Sequence, residues 1–375
     1  MDGALLDELA TGDASERAES WRYSRNAVRA LEQLAFVAAD PQAAPAAELH
    51  AQFDWPQTQR QRLVFVNGTF APAQSMFDAA GVAVAHAADG ACAIDITADV
   101  AQPLHVVHVA IPGATPARWR AALELRVAAG AHVTLVEQHV AAPGADVLGA
   151  FAVRVDLAAK AELDLVSLSD LADNASLVRH LRANLAADAA LRTTHALFGG
   201  RLQRLDFDVA LAGERARLES RGVFVLRGRE HCDVHLDLRH VARDAACDVL
   251  WRGVADQRSR GIFHGAITVE PGADGTDARL SSKNVLLSPL AEIDTKPVLE
   301  IRADEVQAAH GAAVGQIDER ALFYLRSRGI ALQAARRMLV AAFCAEALAG
   351  IGDADLRGRI ETLAAAHLPA PEASR

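Results

Sequence analysis

Between residues 85 and 308 the apolar residues recur at every second position, a period that fits extended strands and few other conformations. Val153, Val155 and Leu157 flank Arg154 and Asp156, and Leu163, Leu165 and Ser167 keep the same spacing. Val234, Leu236 and Leu238 interleave with His235, Asp237 and Arg239. Gly, Asp and Asn punctuate these short runs, as they do between strands. The centre of the chain is therefore predicted to be all-β. Such a length is long for a simple sandwich and suits a solenoid, whose coils bury their inner faces on one another. No crisp repeat is visible, so periodicity alone leaves sandwich and solenoid both open.

The ends have a helical period instead. Ala27, Val28, Leu31, Leu34 and Ala35 fall on one helical face, with Asp40-Pro41 as a stop. The Pro- and Ala-rich residues 41–47 read as a linker. Leu63-Val64-Phe65-Val66, Asn67-Gly68 and Thr69-Phe70 together carry a hairpin signal. Past the β region, Asp318 is an expected N-cap for a helix over 320–328, and Gly329 ends it. A longer helix is predicted over 331–349, with Ala335, Met338, Leu339, Ala342 and Phe343 along one face. A last one is predicted over 356–366. The chain divides into a mostly helical region with a short hairpin (1–84), a β core (85–312) and a helical C-terminal region (313–375).

Hydrophobic residues make up 51% of the chain but aromatics only 5%, so small and branched aliphatics must supply most of the packing. The formal charge of −10 argues against a nucleic-acid binder, which needs a basic face. No basic n-region with an apolar core opens the chain, and no apolar run reaches a membrane span. The expected address is the cytoplasm, with no membrane partner. Cys92, Cys232, Cys247 and Cys344 are scattered, which speaks against a disulfide framework or a metal centre made by this chain alone.

Few residues stand out as chemistry. His105 and His108 have metal-pair spacing only on a helix, and on a strand they point to opposite faces. His231 and His235 share a strand face that Cys232 does not, and a structural placement is expected for all three. Cys344 reads as packing. No carboxylate pair stands out as an acid/base couple, and the Gly-Lys of a phosphate-binding loop never occurs.

Several ordered motifs resemble the SufB/SufD family of iron–sulfur cluster assembly proteins. They are Ser281-Ser282-Lys283-Asn284-Val285-Leu286-Leu287-Ser288, Thr295-Lys296-Pro297-Val298-Leu299-Glu300-Ile301 and Ala303-Asp304-Glu305-Val306. His310-Gly311-Ala312-Ala313-Val314-Gly315 and Leu322-Phe323-Tyr324-Leu325-Arg326-Ser327-Arg328-Gly329-Ile330 follow. Upstream, Gly261-Ile262-Phe263-His264-Gly265-Ala266-Ile267-Thr268-Val269 and Glu19-Ser20-Trp21-Arg22-Tyr23-Ser24 match family motifs. Two details favour the SufD-type branch: SufB-like chains usually carry His-Glu-Ala where His310-Gly311-Ala312 stands, and their cysteine falls on Ser282. The cysteine often found in SufD-like chains two residues before the histidine is Ala308.

The resemblance implies a right-handed parallel β-helix core flanked by helical N- and C-terminal regions. It implies a non-catalytic scaffold subunit that pairs with a SufB-like scaffold and binds a SufC-like ABC-type ATPase. ATP would be bound by that other chain, a transient iron–sulfur cluster would form at the SufB interface, and reduced flavin is associated with the full complex. His310 is the candidate iron or cluster ligand; a lone histidine is more often structural, but the family match favours ligation. Phe323 and Tyr324, with Leu325, are expected to seat their helix on the β core. Phe323, Tyr324, Arg326 and Arg328 are also the candidate contacts for the ATPase, with charge–dipole complementation as the plainer role of the arginines. The alternatives are a SufB-like subunit and, further off, a β-helix enzyme acting on polysaccharides. The latter would usually carry a secretion signal and catalytic acids in its groove.

Overall fold

The computed structural model describes residues 19–40, 61–86 and 91–368. Successive central strands alternate between two sheets, of ten and eleven strands, so each strand pairs with the one a full coil later. Ala150 lies beside Val178, and Val178 beside Arg204, all in parallel. This is a parallel β-solenoid, and it settles the choice that alternation left open. Ser176 lies beside Leu202, 26 residues on, whereas Arg260 lies beside Glu292, 32 residues on. Coils of unequal length superpose in space but not in sequence, which hides the repeat.

One corner does recur. Gly130, Lys160, Asp188, Arg215, Asp244 and Gly275 all adopt positive φ, from 57° to 76°. Each donates its N–H to a carbonyl of the next coil, as Lys160 does to Ala187 at 2.9 Å and Asp244 to Asp274 at 2.9 Å. The residues that follow them, Ala131, Ala161, Ala189, Ala216, Ala245 and Thr276, are buried where the chain turns inward. Small side chains are what that corner can hold.

The inner faces pack into one continuous core that includes Val153, Val155, Leu157, Leu163, Leu165, Val234, Leu236 and Leu238, as their alternation predicted. The outer faces are covered unequally. Helices α3 (Leu332–Leu348) and α4 (Ala354–His367) lie on the eleven-stranded sheet, with Val340, Cys344, Leu348 and Ile360 against Val136, Leu168, Phe198 and Val225. Arg252, 1% exposed, pins α3 to the sheet by pairing with both carboxylate oxygens of Glu346 at 2.9 Å. On the ten-stranded sheet Trp21 and helix α1 (Arg25–Glu32) cover Leu148, Val178 and Leu202.

Several local expectations are corrected. Helix α1 ends at Glu32, well before Asp40, because Val37–Ala38 pairs with Ala117 and Arg118 as a short strand; Ala35 is exposed. Within 1–84 the described α-helical residues are Glu19, Ser20 and α1, and Gln61–Val66 already belongs to the eleven-stranded sheet. The hairpin forms as read, with Asn67 and Gly68 at φ 48° and 79° between paired strands. Residues 41–47 lie outside the described residues. The boundaries at 84/85 and 312/313 fall inside the strands Val82–His86 and Gln307–Gly315.

Helix α2 (Glu319–Ser327) is capped by Asp318, which accepts from the Arg320 N–H at 2.8 Å, and Gly329 leaves it at φ 84°. On α3 the buried face is Ala335, Val340, Cys344, Ala347 and Leu348, whereas Met338 and Ala342 are exposed. The face is set by packing on both the sheet and α4, which a single apolar stripe does not describe.

Candidate functional site

The last coil consists of the strands Glu292–Ile301 and Gln307–Gly315, each at the end of its sheet. In a parallel in-register stack, neighbours share a face, so inward positions can be followed from coil to coil. One inward row runs Leu165, Thr193, Ser220, Val249, Leu280 and His310. His310 therefore continues a core row past the point where the core is covered. It is exposed and has no side-chain hydrogen bond among the described residues. Ile301 and Val314 also continue inward rows, yet they are 45% and 40% exposed. Apolar side chains in core registers face outward from an unfinished end.

His310 lies in mid-strand, and α2 begins only at Glu319. Ala308 points inward beside Ala278, two residues from His310, so a cysteine there would share the histidine's face. Gly311 points the other way, and a Cβ built on it meets nothing within 4 Å. Ser282 is fully buried one coil further in, where its hydroxyl accepts from the Asn284 side-chain amide at 3.1 Å.

The four thiols are all buried. Burial pushes Cys92 up to about 11 and Cys247 and Cys344 up to about 12, and raises Cys232 well above its ordinary value. Thiols held protonated in this way are poor ligands, since metals bind the thiolate. Cys344 packs among Val340, Leu348 and the sheet, as read from the sequence. Among the described residues no three His, Cys, Asp or Glu gather into a metal-holding group. Within that set His310 has no companions.

The interior itself is not uniformly apolar. Glu137, fully buried, accepts from the Arg179 Nη2 at 2.9 Å, from His139 Nε2 at 2.9 Å and from the Ser167 hydroxyl at 3.3 Å. Burial alone would raise the Glu137 carboxyl; Arg179 and His139 outweigh it and hold the group well below the usual carboxylate range. Burial keeps His139 low and takes His195, in the next coil beside Ser167, down to about 3. Nothing in the sequence pattern marks this cluster, because an inward Glu and an inward Arg three strands apart have no spacing signature. His105 and His108 lie on opposite faces of Leu104–Ala110, with His105 bonded to Gln138 and His108 stacked between Phe65 and His139. They are packing residues.

Helix α2 is seated by Leu322, which is 4% exposed. Phe323 and Tyr324 do not seat it: they are 74% and 58% exposed. Arg326 and Arg328 are exposed as well, and the Arg328 guanidinium lies 5.3 Å from the Tyr324 ring centre. All four are exposed, and Tyr324 and Arg328 adjoin each other.

The Trp21 motif has a definite task. The Arg204 guanidinium lies over the Trp21 ring at 4.1 Å and donates to the Ser20 carbonyl at 2.9 Å and to Asp233 at 2.8 Å. Ser24 bonds both Asp233 and His231, the latter at 2.8 Å. His231 and His235 share the outer face with Asp233 while Cys232 points into the core, as read from the sequence. Between this N-terminal segment and the sheet lies a crevice of about 730 Å³, lined in part by His180, Asp206, His235, His264 and Lys296.

The chain is a two-sheet parallel solenoid with an uncovered last coil and helices packed on its outer faces. A family model described as "SUF system FeS cluster assembly, SufBD core domain" matches residues 117–343, and the chain belongs to that family. It is 30% identical to the iron–sulfur cluster assembly protein SufD of Escherichia coli over 97% of this chain and 92% of that one. It is 32% identical to a SufBD family protein of Mycobacterium leprae, over 54% of each chain. A SufBD family protein of Synechocystis is 34% identical over 43% of this chain and 36% of its own length.

Proposed function

We propose that this chain is the non-catalytic SufD-type scaffold subunit of a three-component assembly in the cytoplasm. Its last coil pairs with a SufB-like scaffold, and its C-terminal helical region docks a SufC-like ATPase that binds the ATP. The observation that carries this reading is the uncovered end. The strand Glu292–Ile301 is blunted as an edge by Lys296, Pro297, Asp294 and Glu300. The strand Gln307–Gly315 contains no proline and no Asp, Glu, Lys or Arg, so its backbone is a ready template for a partner strand. A partner there covers Val314 and brings its own groups to His310. The transient iron–sulfur cluster is handled at that interface, with His310 as this chain's ligand and any thiolate supplied by the partner. Reduced flavin, if the complex carries it, has no assigned site on this subunit.

The surface of Phe323, Tyr324, Arg326 and Arg328 is the proposed contact for the ATPase. Co-expression with SufB- and SufC-like partners tests the assembly. The wild-type chain is expected to co-purify with both, and Val314→Asp to lose the scaffold partner while keeping the ATPase. Failure of the wild type to co-purify with either would refute the reading. His310→Ala in an intact complex is expected to lower cluster assembly, and unchanged assembly would remove its ligand role.

A further inference from the structure

Across the outer face of the ten-stranded sheet, one register position in five successive coils holds His180, Asp206, His235, His264 and Lys296. This row forms the floor of the crevice under the Trp21 segment. Its third and fourth members face each other: His235 Nδ1 and His264 Nδ1 are 3.3 Å apart. Two imidazole nitrogens bound to one tetrahedral ion at about 2.0–2.1 Å each are themselves about 3.3–3.4 Å apart. We propose that His235 and His264 form a binding site for a divalent transition-metal ion of zinc-like preference, separate from the cluster chemistry at His310.

Three further observations support it. First, His235 Nε2 lies 2.9 Å from Asp233 Oδ1. Arg204 Nη1 lies 3.4 Å from the same nitrogen, but the carboxylate is the nearer charge and favours a proton on Nε2, which directs the Nδ1 lone pair at His264, the arrangement in which an outer group fixes the ligand's tautomer. Asp233 is itself held by Arg204 and Ser24, so the orientation is built into the fold. Second, His264 Nε2 is buried without a hydrogen-bond partner among the described residues. If its proton sits there, two lone pairs confront each other at the Nδ1 atoms, and a cation between them removes the conflict.

Third, the surroundings favour a cation. Glu19, Asp206, Asp208, Asp237 and Asp294 line the crevice against Arg182, Arg204 and Lys296. Arg204 is paired with Asp206 and Asp233, and Lys296 lies 3.8 Å from Glu19, so the positive charges near the pair are already met. The two protein nitrogens leave the remaining coordination positions to water, open to the crevice.

The test uses the full chain stripped with a chelator and titrated with Co²⁺, read by its visible absorption, and with Zn²⁺ by equilibrium dialysis. One equivalent is expected to bind to the wild type and to His310→Ala alike. His235→Gln and His264→Gln are each expected to weaken binding more than tenfold, and Asp233→Asn by about tenfold, as loss of an orienting outer group does. Zinc is also expected to shield His235 and His264 of the wild type from diethylpyrocarbonate, mapped by peptide mass, a readout that needs no variant. No bound equivalent in the wild type, undiminished binding in both glutamine variants, or modification of the two histidines unaffected by zinc would each overturn the proposal.

Discussion

Replacing Glu137 with alanine should be among the most damaging single changes in the solenoid. The carboxylate is fully buried and takes hydrogen bonds from Arg179, His139 and Ser167, while Arg179 is itself only 4% exposed. Removing the acid strands a guanidinium in the interior, since water cannot reach it. Breaking a buried pair by deleting one member typically costs about 3–5 kcal/mol. The lost partner of His139 adds to that sum, so the upper part of the range is expected. The double replacement Glu137→Leu with Arg179→Met removes both charges and fills the space, and should cost no more than about 1 kcal/mol. Urea unfolding followed by circular dichroism and by tryptophan fluorescence measures both, with the slope m reporting whether the unfolded reference has moved. The reasoning fails if the single change costs under about 1 kcal/mol, or if the double variant is as unstable as the single changes added together.

Acid should destabilise the chain before the ordinary carboxylates titrate. Burial holds His231 and His240 at about 4 and His195 at about 3, so each stays neutral when folded but takes up a proton near pH 6.5 when unfolded. The unfolded state then binds more protons below that point, and the urea midpoint should fall steadily from pH 7 to pH 4; a flat profile would contradict it. Gly199 has φ 70°, and a Cβ built on it sits 2.1 Å from the Leu171 carbonyl oxygen. Gly199→Ala should therefore cost about 1–3 kcal/mol in urea unfolding, and a change within about 0.5 kcal/mol would refute that. Phe323→Ser with Tyr324→Ser should leave stability within about 0.5 kcal/mol, because both rings are exposed. The same double variant should lose the ATPase partner in co-purification, and retention would move the docking surface elsewhere.

The strands were legible because one buried face per strand writes itself as alternation, from Val153 to Leu157 and from Val234 to Leu238. Their assembly into coils was not, since coils of 26 to 32 residues blur any fixed period. The recurring corner was a signal available in the sequence: Gly130-Ala131, Lys160-Ala161, Asp188-Ala189, Arg215-Ala216 and Asp244-Ala245 are its trace. It escapes inspection because the left-handed residue varies from Gly to Arg and only a small buried residue follows it, alanine in five corners and Thr276 in the sixth. Helix ends were readable from Asp318 and Gly329, whose backbone chemistry is local. Which residues of a helix meet the core was less so. Phe323 and Tyr324 look like a seat by composition, yet both are exposed, while Leu322 is buried and Leu325 half-buried. His310 could be picked out only through family resemblance, because its setting depends on where the stack of coils stops.

That stopping point also has a cost for the chain while it is alone. An edge without charge or proline accepts any strand of suitable length, including the same edge of another copy. Two copies of Gln307–Gly315 meeting in this way would sequester Ile301 and Val314 as effectively as the scaffold partner proposed above. Under the proposed function, the solubility of the chain by itself is thereby tied to how soon that edge is occupied. Synthesis in step with whatever occupies it then becomes a matter of colloidal stability as much as of stoichiometry.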